Sequence, residues 1–231
     1  MKTARLRLGI IPFLAMIVSS AIVLGVCQPA EAEEQPAVIK IQKLADDIYY
    51  PVIVAGVKNT QVKNDLNRTF FLHAKEIRSH DIDEKKQYEH DKLLGIHGGP
   101  YFVHTKPFVR CNKNSLLSIS FLDNAYTGGA HGLAYEEVYN YDLKSGRRFR
   151  LNDLITTKAQ LEKVNQYVKK QMEIMNKTQH FDFFIEDFKG IDPSQEQFYF
   201  DDHGIVLVFQ EYEYAPVSKR HYSYETALFG L

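Results

Sequence analysis

The chain has 231 residues, a formal net charge of −1, 45% hydrophobic and 25% charged residues, and only two cysteines. This length is enough for one large domain or two small ones with a sizeable core. The composition excludes a disordered or coiled-coil protein, and two cysteines are too few for a disulfide scaffold or a Cys-based zinc module. Because basic residues are not in excess, nucleic acid is not expected as a partner.

The N-terminus has the features of a secretory signal peptide over residues 1–32. A basic start (residues 2–7) precedes an apolar run (residues 8–26), and Ala30-Glu31-Ala32 supplies the small residues of a cleavage site. We therefore expect a secreted protein associated with the cell envelope. Two alternatives stay open: retention of the apolar run as a membrane anchor, which would be the only membrane contact expected, and lipid attachment at Cys27.

The first predicted elements of the exported part are β structure and a helix. Val38 to Val57 is typical of β structure, and apolar positions recur with helical spacing from Val62 to Ile77. His73 lies on that apolar face, which favours a core or boundary histidine over a metal ligand. The charged residues 79–92 are interpreted as a solvated helix or loop, and so is the sequence His80-Asp81-x-Asp83 within them.

Three further segments predict neighbouring antiparallel strands joined by short turns: residues 101–109, 116–122 and 133–141. In the middle segment the pattern places Leu117, Ile119 and Phe121 on one face and Ser118 and Ser120 on the other. Cys111 follows the first segment and is interpreted as a buried, inert thiol.

A second helix is predicted from the capping-box spacing of Thr157 and Gln160 through the apolar position Met175. Residues 198–200 and 204–209 then predict a hairpin around the turn at 201–204. Strands and helices do not alternate regularly along the chain. The expected fold class is therefore α+β, an antiparallel sheet packed with two main helices.

No complete catalytic motif is present. The nine histidines are scattered without ligand spacing, and nucleophile elbows, Walker loops and dinucleotide fingerprints are absent. Phe200-Asp201-Asp202-His203-Gly204 superficially resembles a metal-binding element of polysaccharide deacetylases, but His203 interrupts it and the accompanying His-x-x-x-His-Pro element is missing. The same residues are also typical of a hairpin turn, because Asp caps turns and Gly accepts positive φ. We expect no catalytic residue, metal or cofactor.

The most unusual segment is Tyr126-Thr127-Gly128-Gly129-Ala130-His131-Gly132. Backbone N–H groups near Gly128 and Gly129 could converge into an anion-binding nest with His131 as an additional donor. Alternatively, the glycines only permit a tight connection between two strands, because glycine adopts positive φ at no steric cost. The sequence leaves both interpretations open.

Two parts of the chain resemble known families. The C-terminal part resembles the RsiV-like extracellular domain of bacterial anti-sigma factors, through Tyr126–Gly132, Tyr139–Gly146, Leu151–Leu154, Phe198–Phe200, Gly204–Phe209 and Tyr212–Pro216. The N-terminal part is similar to the module preceding the catalytic domain in PdaC-type peptidoglycan deacetylases, through Tyr50–Ile53, Gly56, Asn59 and Asn64–Asn67. The expected modules are residues 38–125 and 126–231, the second being a domain of unknown function.

The resemblance implies a non-catalytic binding or sensor domain outside the cell membrane. Its implied partner is cell-wall glycan, such as peptidoglycan, or a lysozyme-like protein. The alternative is a cell-wall polysaccharide hydrolase or deacetylase, or an accessory domain of one. By this resemblance, Tyr212, Tyr214 and Pro216 belong to an exposed recognition loop, with Gly128, Gly129 and His131 as further candidates; otherwise the two tyrosines simply close the edge of the sheet.

Overall fold

The computed structural model describes residues 35–96, 98–194, 197–202 and 204–214. The predicted signal peptide with Cys27, the turn residue His203 and the candidate Pro216 lie outside these ranges. The described residues fall within a single compact unit, residues 33–231.

The main sheet has five strands in the order β1-β2-β3-β4-β5. The strands are β1 (Val38–Ala45), β2 (Ile48–Ala55), β3 (Phe102–Lys113), β4 (Leu116–Tyr126) and β5 (Leu133–Asp142). Neighbours are antiparallel except β2 and β3, which run parallel and meet at the single register position Ile48–Thr105. The expected α+β class is confirmed, and so are the three neighbouring antiparallel strands β3, β4 and β5.

Helix α1 (Thr60–Leu93) covers one face of this sheet. It starts at the N-cap Asn59, whose side chain accepts hydrogen bonds from the N–H groups of Gln61 and Val62. Its buried residues Leu66 and Phe70 pack with the strand residues that the pattern predicted to point inward, Leu117, Ile119 and Phe121. Because the helix extends to Leu93, the charged residues 79–92 are part of it.

The opposite face of the sheet is covered by a two-stranded hairpin, β6 (Gln197–Phe200) and β7 (Ile205–Val208). For this reason Ser118 and Ser120, the polar side of β4, are fully buried. The Ser118 hydroxyl donates to Asn140 Oδ1 and accepts the N–H of Phe200, so that polar side chains attach the hairpin to the sheet. Alternation predicted the two faces of β4 correctly, but not that both are buried.

After a short helix α2 (Leu151–Leu154), the long helix α3 (Lys158–Gln179) packs on the hairpin from its outer side. The predicted capping box is confirmed, because the Thr157 hydroxyl accepts the N–H of Gln160 and the Gln160 side chain accepts the N–H of Thr157. Met172 is buried and Met175 partly buried in this core. The layers are thus α1, the five-stranded sheet, the hairpin and α3.

Several side-chain amides bind both the N–H and the C=O group of one residue, as a neighbouring strand would. The amide of Asn67 on α1 accepts the N–H of Ile53 at 2.7 Å and donates to the C=O of the same residue at 3.0 Å. The same two-bond pairing joins Asn112 to Ala37, Asn176 to Phe183 and Gln210 to Glu136. These bonds satisfy backbone groups that the sheets leave unpaired.

Two local expectations are corrected. Residues 38–57 form two strands rather than one β segment, because Asp47 adopts a φ of 55° in a tight turn. Asp81 is buried rather than solvated: it accepts the N–H of Val103 and binds Lys85 at 2.6 Å. The physical reason is that β2 meets β3 at one position only, so the N–H of Val103 needs another acceptor.

Candidate functional site: the groove beside strand β5

Strand β5 is the last strand of the sheet, and side chains cover its outer edge. The N–H groups of Ala134, Glu136 and Val138 donate to Glu211 Oε2, Gln210 Oε1 and Gln197 Oε1, each at 3.0 Å. An uncovered edge would present these groups to another chain. The segment after β7 therefore runs beside β5 and protects it.

Two adjoining cavities lie along this edge and share Tyr135 and Gln210; together we name them the β5 groove. The first has about 350 Å³ and is lined by Val103, Asp123, Leu133, Glu211 and Tyr212, among others. The second has about 360 Å³ and is lined by Asp192, Glu213 and Tyr214, among others. The residues Tyr135 and Tyr212 remain 46% and 47% exposed, so two tyrosine side chains border an accessible groove.

The structure brings two of the sequence-predicted segments together at this groove. Tyr212 Oη lies 3.0 Å from Nε2 of His131, although the residues are 81 positions apart. The His131 Nδ1 atom lies 2.9 Å from the carbonyl oxygen of Gly132, which can only accept, so Nδ1 carries a proton. In the neutral ring, Nε2 then accepts the hydroxyl proton of Tyr212.

The glycines of the loop have different roles. Gly128 adopts a φ of 95°, and a Cβ atom there would collide with the ring of Tyr101. Gly129 has room for a side chain, since a Cβ atom at this position would come no closer than 3.6 Å to its nearest neighbour, the carbonyl oxygen of His131. Neither glycine lines the β5 groove. Glycine at position 128 is therefore required both by the positive φ and by the close packing against Tyr101.

The predicted residue Tyr214 lies at the boundary between the core and the groove. Tyr214 is half-buried and lines the second cavity, where its ring packs edge-to-face on Phe188 and Phe209 at centroid distances of 5.3 Å. Its carbonyl oxygen also accepts the N–H of Phe184. Tyr214 thus contacts both the core around α3 and the groove, whereas Tyr212 is on the rim.

A buried polar cluster lies beneath the first cavity. His73 on α1 is 8% exposed; its Nε2 atom lies 3.1 Å from Asp123 on β4 and its Nδ1 atom 3.3 Å from Glu137 on β5. The Tyr139 hydroxyl lies 3.3 Å from the same Nδ1 atom. Asp123 belongs both to this cluster and to the groove lining.

The cluster holds a positive charge inside the protein. Burial alone lowers the pKa of His73, but the hydrogen bonds and charges of Asp123 and Glu137 outweigh it and raise that pKa to about 9. Burial also raises the pKa of Tyr139, reinforced by the charge of Glu137. The pKa of Glu137 is lowered: burial opposes ionisation, but hydrogen bonds from His73 and Tyr139 prevail. At neutral pH, His73 is an imidazolium between two carboxylates.

Sequence reasoning placed His73 in the core correctly but missed its partners Asp123 and Glu137. They are 50 and 64 positions away from it, so no local spacing relates them. The available signal was a polar residue at an inward-facing position of each strand, two residues after Phe121 and two before Tyr139.

Among the described residues, no group of three or more His, Cys, Asp or Glu side chains could hold a metal ion. No helix in the described ranges is long and apolar enough to span a bilayer.

Comparison with known proteins gives the class to which this fold belongs. Residues 40–134 match the family model described as "Deacetylase PdaC", and residues 152–219 match "Protein of unknown function (DUF3298)". Two successive regions of the chain are therefore similar to these two families, the first to PdaC and the second to DUF3298. The word deacetylase is here a family label and assigns no activity to this chain.

Solved structures support the same fold. A DUF3298 family member from Bacteroides fragilis has a TM-score of 0.53 and 20% identity, covering 81% of this chain and 87% of that one. A DUF3298 family protein from Pseudomonas aeruginosa has a TM-score of 0.53 and 15% identity, with coverages of 82% and 89%. At these identities the likeness shows the fold alone. No curated protein matches the sequence.

Proposed function

We propose that the protein is a non-catalytic binding domain of the bacterial cell envelope and that the β5 groove binds cell-wall glycan. The observation that carries this proposal is the accessible groove bordered by the exposed rings of Tyr135 and Tyr212. Tyrosine gives a rigid, flat contact surface at low entropic cost, and its face suits the apolar side of a sugar ring. Two adjoining cavities provide length for more than one ring.

The loop and the C-terminal segment support this assignment. The contact between His131 and Tyr212 fixes the rim of the groove, and Gln210 and Glu211 attach the segment to β5. A binding site whose parts are already held in place loses little conformational entropy when a ligand enters. These contacts favour a preformed site over a loose loop.

The resemblance to the RsiV-like family also supports a protein partner of the lysozyme type. The concave shape of the β5 groove favours an extended glycan, so we place glycan first. A lysozyme-like enzyme would more naturally use the exposed rim around Tyr212. Parallel measurements with peptidoglycan fragments and with lysozyme separate the two partners.

Substitution of the rim tyrosines tests the glycan site. Binding of the purified protein to soluble peptidoglycan fragments is measured by titration for wild type, Tyr135→Ala and Tyr212→Ala. We expect each variant to lose about 1 kcal/mol or more of binding free energy, because exposed aromatic anchors carry much of the energy of such contacts. The unfolding midpoint should change little, since both residues are about half-exposed.

Tyr49→Ala is the matched control, because Tyr49 is a partly exposed tyrosine on β2 that lines neither cavity of the groove. It should bind as wild type does. Glycan binding that both rim variants leave unchanged would contradict the proposed site. Capture of lysozyme without any binding to glycan would replace the proposed ligand by the protein partner.

We also propose that the protein is exported and cleaved after Ala32. The basic start, the apolar run and the Ala30-Glu31-Ala32 sequence support this. Expressed in a bacterial host, the protein should appear outside the cytoplasm with Glu33 as its N-terminal residue, which intact-mass analysis and N-terminal sequencing measure. Recovery from the membrane fraction with residues 8–26 intact would favour the anchor, and a diacylglyceryl mass on Cys27 would favour lipidation.

A further inference from the structure

A third cavity continues the line of the β5 groove along the same edge of strand β5. It has about 160 Å³ and shares Gln197 with the second cavity of the groove. We name it the arginine pocket, because Arg148 and Arg150 line it together with the polar residues Asn140, Ser194 and Gln197. A cavity of about 150 Å³ holds a molecule the size of benzene, so this pocket has room for a small organic acid.

Arg148 is held in place at this pocket without being neutralised. Its guanidinium carbon lies 4.5 Å from the centre of the Tyr139 ring, and one Nη atom donates to the C=O of Val138 at 3.0 Å. The carboxylate of Glu137 is 3.9 Å away, which is beyond hydrogen-bonding distance. Since a guanidinium group has five N–H donors in a rigid plane, Arg148 can bind a further acceptor without reorganising.

Arg150 adds a second positive charge to the same cavity. The nearby carboxylate of Asp153 is bound to Arg147 at 2.8 Å through one oxygen and accepts the backbone N–H of Arg150 with the other. In the described part of the chain, the Arg150 guanidinium forms no ion pair, and no aspartate or glutamate lines the pocket. Two guanidinium groups at one cavity attract an anion, and their fork geometry suits a carboxylate.

The remainder of the lining is apolar and limits which anion fits. Val138, Leu151, Pro193 and Phe198 supply it, and three of these four residues are buried or nearly so in the core. Apolar side chains cannot bond to the additional oxygens of a phosphate group, whereas they pack well against a methyl group. The pocket therefore combines charge for a carboxylate with an apolar surface for a small aliphatic substituent.

We propose that the arginine pocket binds a carboxylate whose neighbouring carbon carries a methyl group. The lactyl group of muramic acid and the terminal alanine of a wall peptide both have this chemistry. The inference rests on the proposed function, because the pocket continues the groove in which the sugar rings would lie. Asp192 and Glu213 line the adjoining cavity, so an anionic group is repelled there and attracted to the pocket.

The test compares three ligands with the same disaccharide length by calorimetric titration of the purified protein. Chitobiose has no carboxylate. The disaccharide of N-acetylglucosamine and N-acetylmuramic acid has a free lactyl carboxylate. In the same disaccharide with its peptide attached, the lactyl group is an amide and the free carboxylates belong to the peptide. We expect one or both carboxylated ligands to bind roughly tenfold more tightly than chitobiose at low salt, with the difference shrinking as salt is added.

Substitution of the two arginines connects this preference to the pocket. Arg150→Gln should remove most of the preference and leave the unfolding midpoint unchanged, because the side chain is exposed and forms no ion pair. Arg148→Gln should do the same to binding, although its bond to the C=O of Val138 also covers the edge of β5. Arg68→Gln, which removes an exposed arginine on α1, is the control and should keep the preference.

The outcomes separate this inference from the proposed function. Equal affinity for the three ligands overturns the inference and leaves glycan binding intact. A preference for the carboxylated ligands that persists in both Arg148→Gln and Arg150→Gln also overturns it, because the attraction would then come from elsewhere. Failure to bind these ligands and an N-acetylglucosamine hexamer, together with capture of lysozyme, overturns the proposed function itself.

Discussion

At the scale of single residues, Gly128 shows how one backbone position fixes the loop that supports the rim. It combines a φ of 95° with a backbone so close to the Tyr101 ring that no Cβ atom fits. Both effects act in the same direction, since L-residues are strained at positive φ and the core around Tyr101 cannot yield without loss of packing. The loop is therefore specified by sterics as well as by hydrogen bonds.

Gly128→Ala should destabilise the protein by roughly 1–3 kcal/mol, the range for strain at a special φ combined with overpacking. Urea unfolding followed by circular dichroism measures this loss. Gly129→Ala is the matched control: the next residue of the same loop has space for a methyl group, so its effect should stay within about 0.5 kcal/mol. Equal effects of the two substitutions would contradict the packing role assigned to Gly128.

At the scale of elements, side chains make the hydrogen bonds to the outer edge of β5 that a neighbouring strand would otherwise make. Gln210 contributes both bonds of such a pair, accepting the N–H of Glu136 and donating to its C=O. Glu136 is itself buried and bound to Arg110 at 2.6 Å. Loss of the Gln210 amide would thus leave backbone groups unpaired at a partly buried position.

Gln210→Ala should lower the free energy of unfolding by about 1–2 kcal/mol, the cost of two unpaired backbone groups, and should promote association through the uncovered edge. Chemical denaturation gives the first quantity, and light scattering on concentrated samples gives the second. Gln87→Ala, which removes an amide that bonds to Asp91 on the exposed side of α1, is the control and should leave both quantities unchanged. Unaltered stability of Gln210→Ala would show that water replaces the amide at no cost.

At the scale of the whole molecule, the cluster around His73 joins α1 to the sheet and makes stability depend on pH. His73 faces Asp123, Glu137 and Tyr139, with Arg148 beyond Glu137. Its pKa of about 9 lies above its ordinary value of 6.5. A raised pKa in the folded state means that the stabilisation is complete below pH 6.5 and is lost as the pH rises through 9.

We therefore expect the free energy of unfolding to fall by up to about 3 kcal/mol between pH 6.5 and about pH 9.5, following 1.36 kcal/mol per pKa unit. Urea titrations at several pH values measure this fall. His73→Gln should flatten the dependence, whereas His80→Gln, an exposed histidine on the same helix, should keep it. Should His73→Gln not fold, an NMR titration of the wild-type ring gives the answer directly, and a midpoint near 6.5 would contradict the buried ion cluster.

The sequence by itself determined the elements with strong periodicity. The helical faces from Val62 to Ile77 and from Thr157 to Met175, and the alternation around Leu117, were sufficient because each depends on neighbours a few positions away. The same local logic predicted the α+β class. It failed at Asp47, because a single residue at positive φ carries little signal, and at Asp81, because the need of Val103 for an acceptor arises from how β2 and β3 meet.

The tertiary structure alone decided what the candidate site contains. Tyr212 and His131 were predicted separately, and only the path of the chain after β7 brings them within hydrogen-bonding distance. The pairing of His73 with Asp123 and Glu137 is equally invisible in the sequence, because it joins three different elements. Local sequence specifies which residues can form a helix or strand, whereas a groove and its charge result from long-range packing, which brings together residues that no short spacing relates.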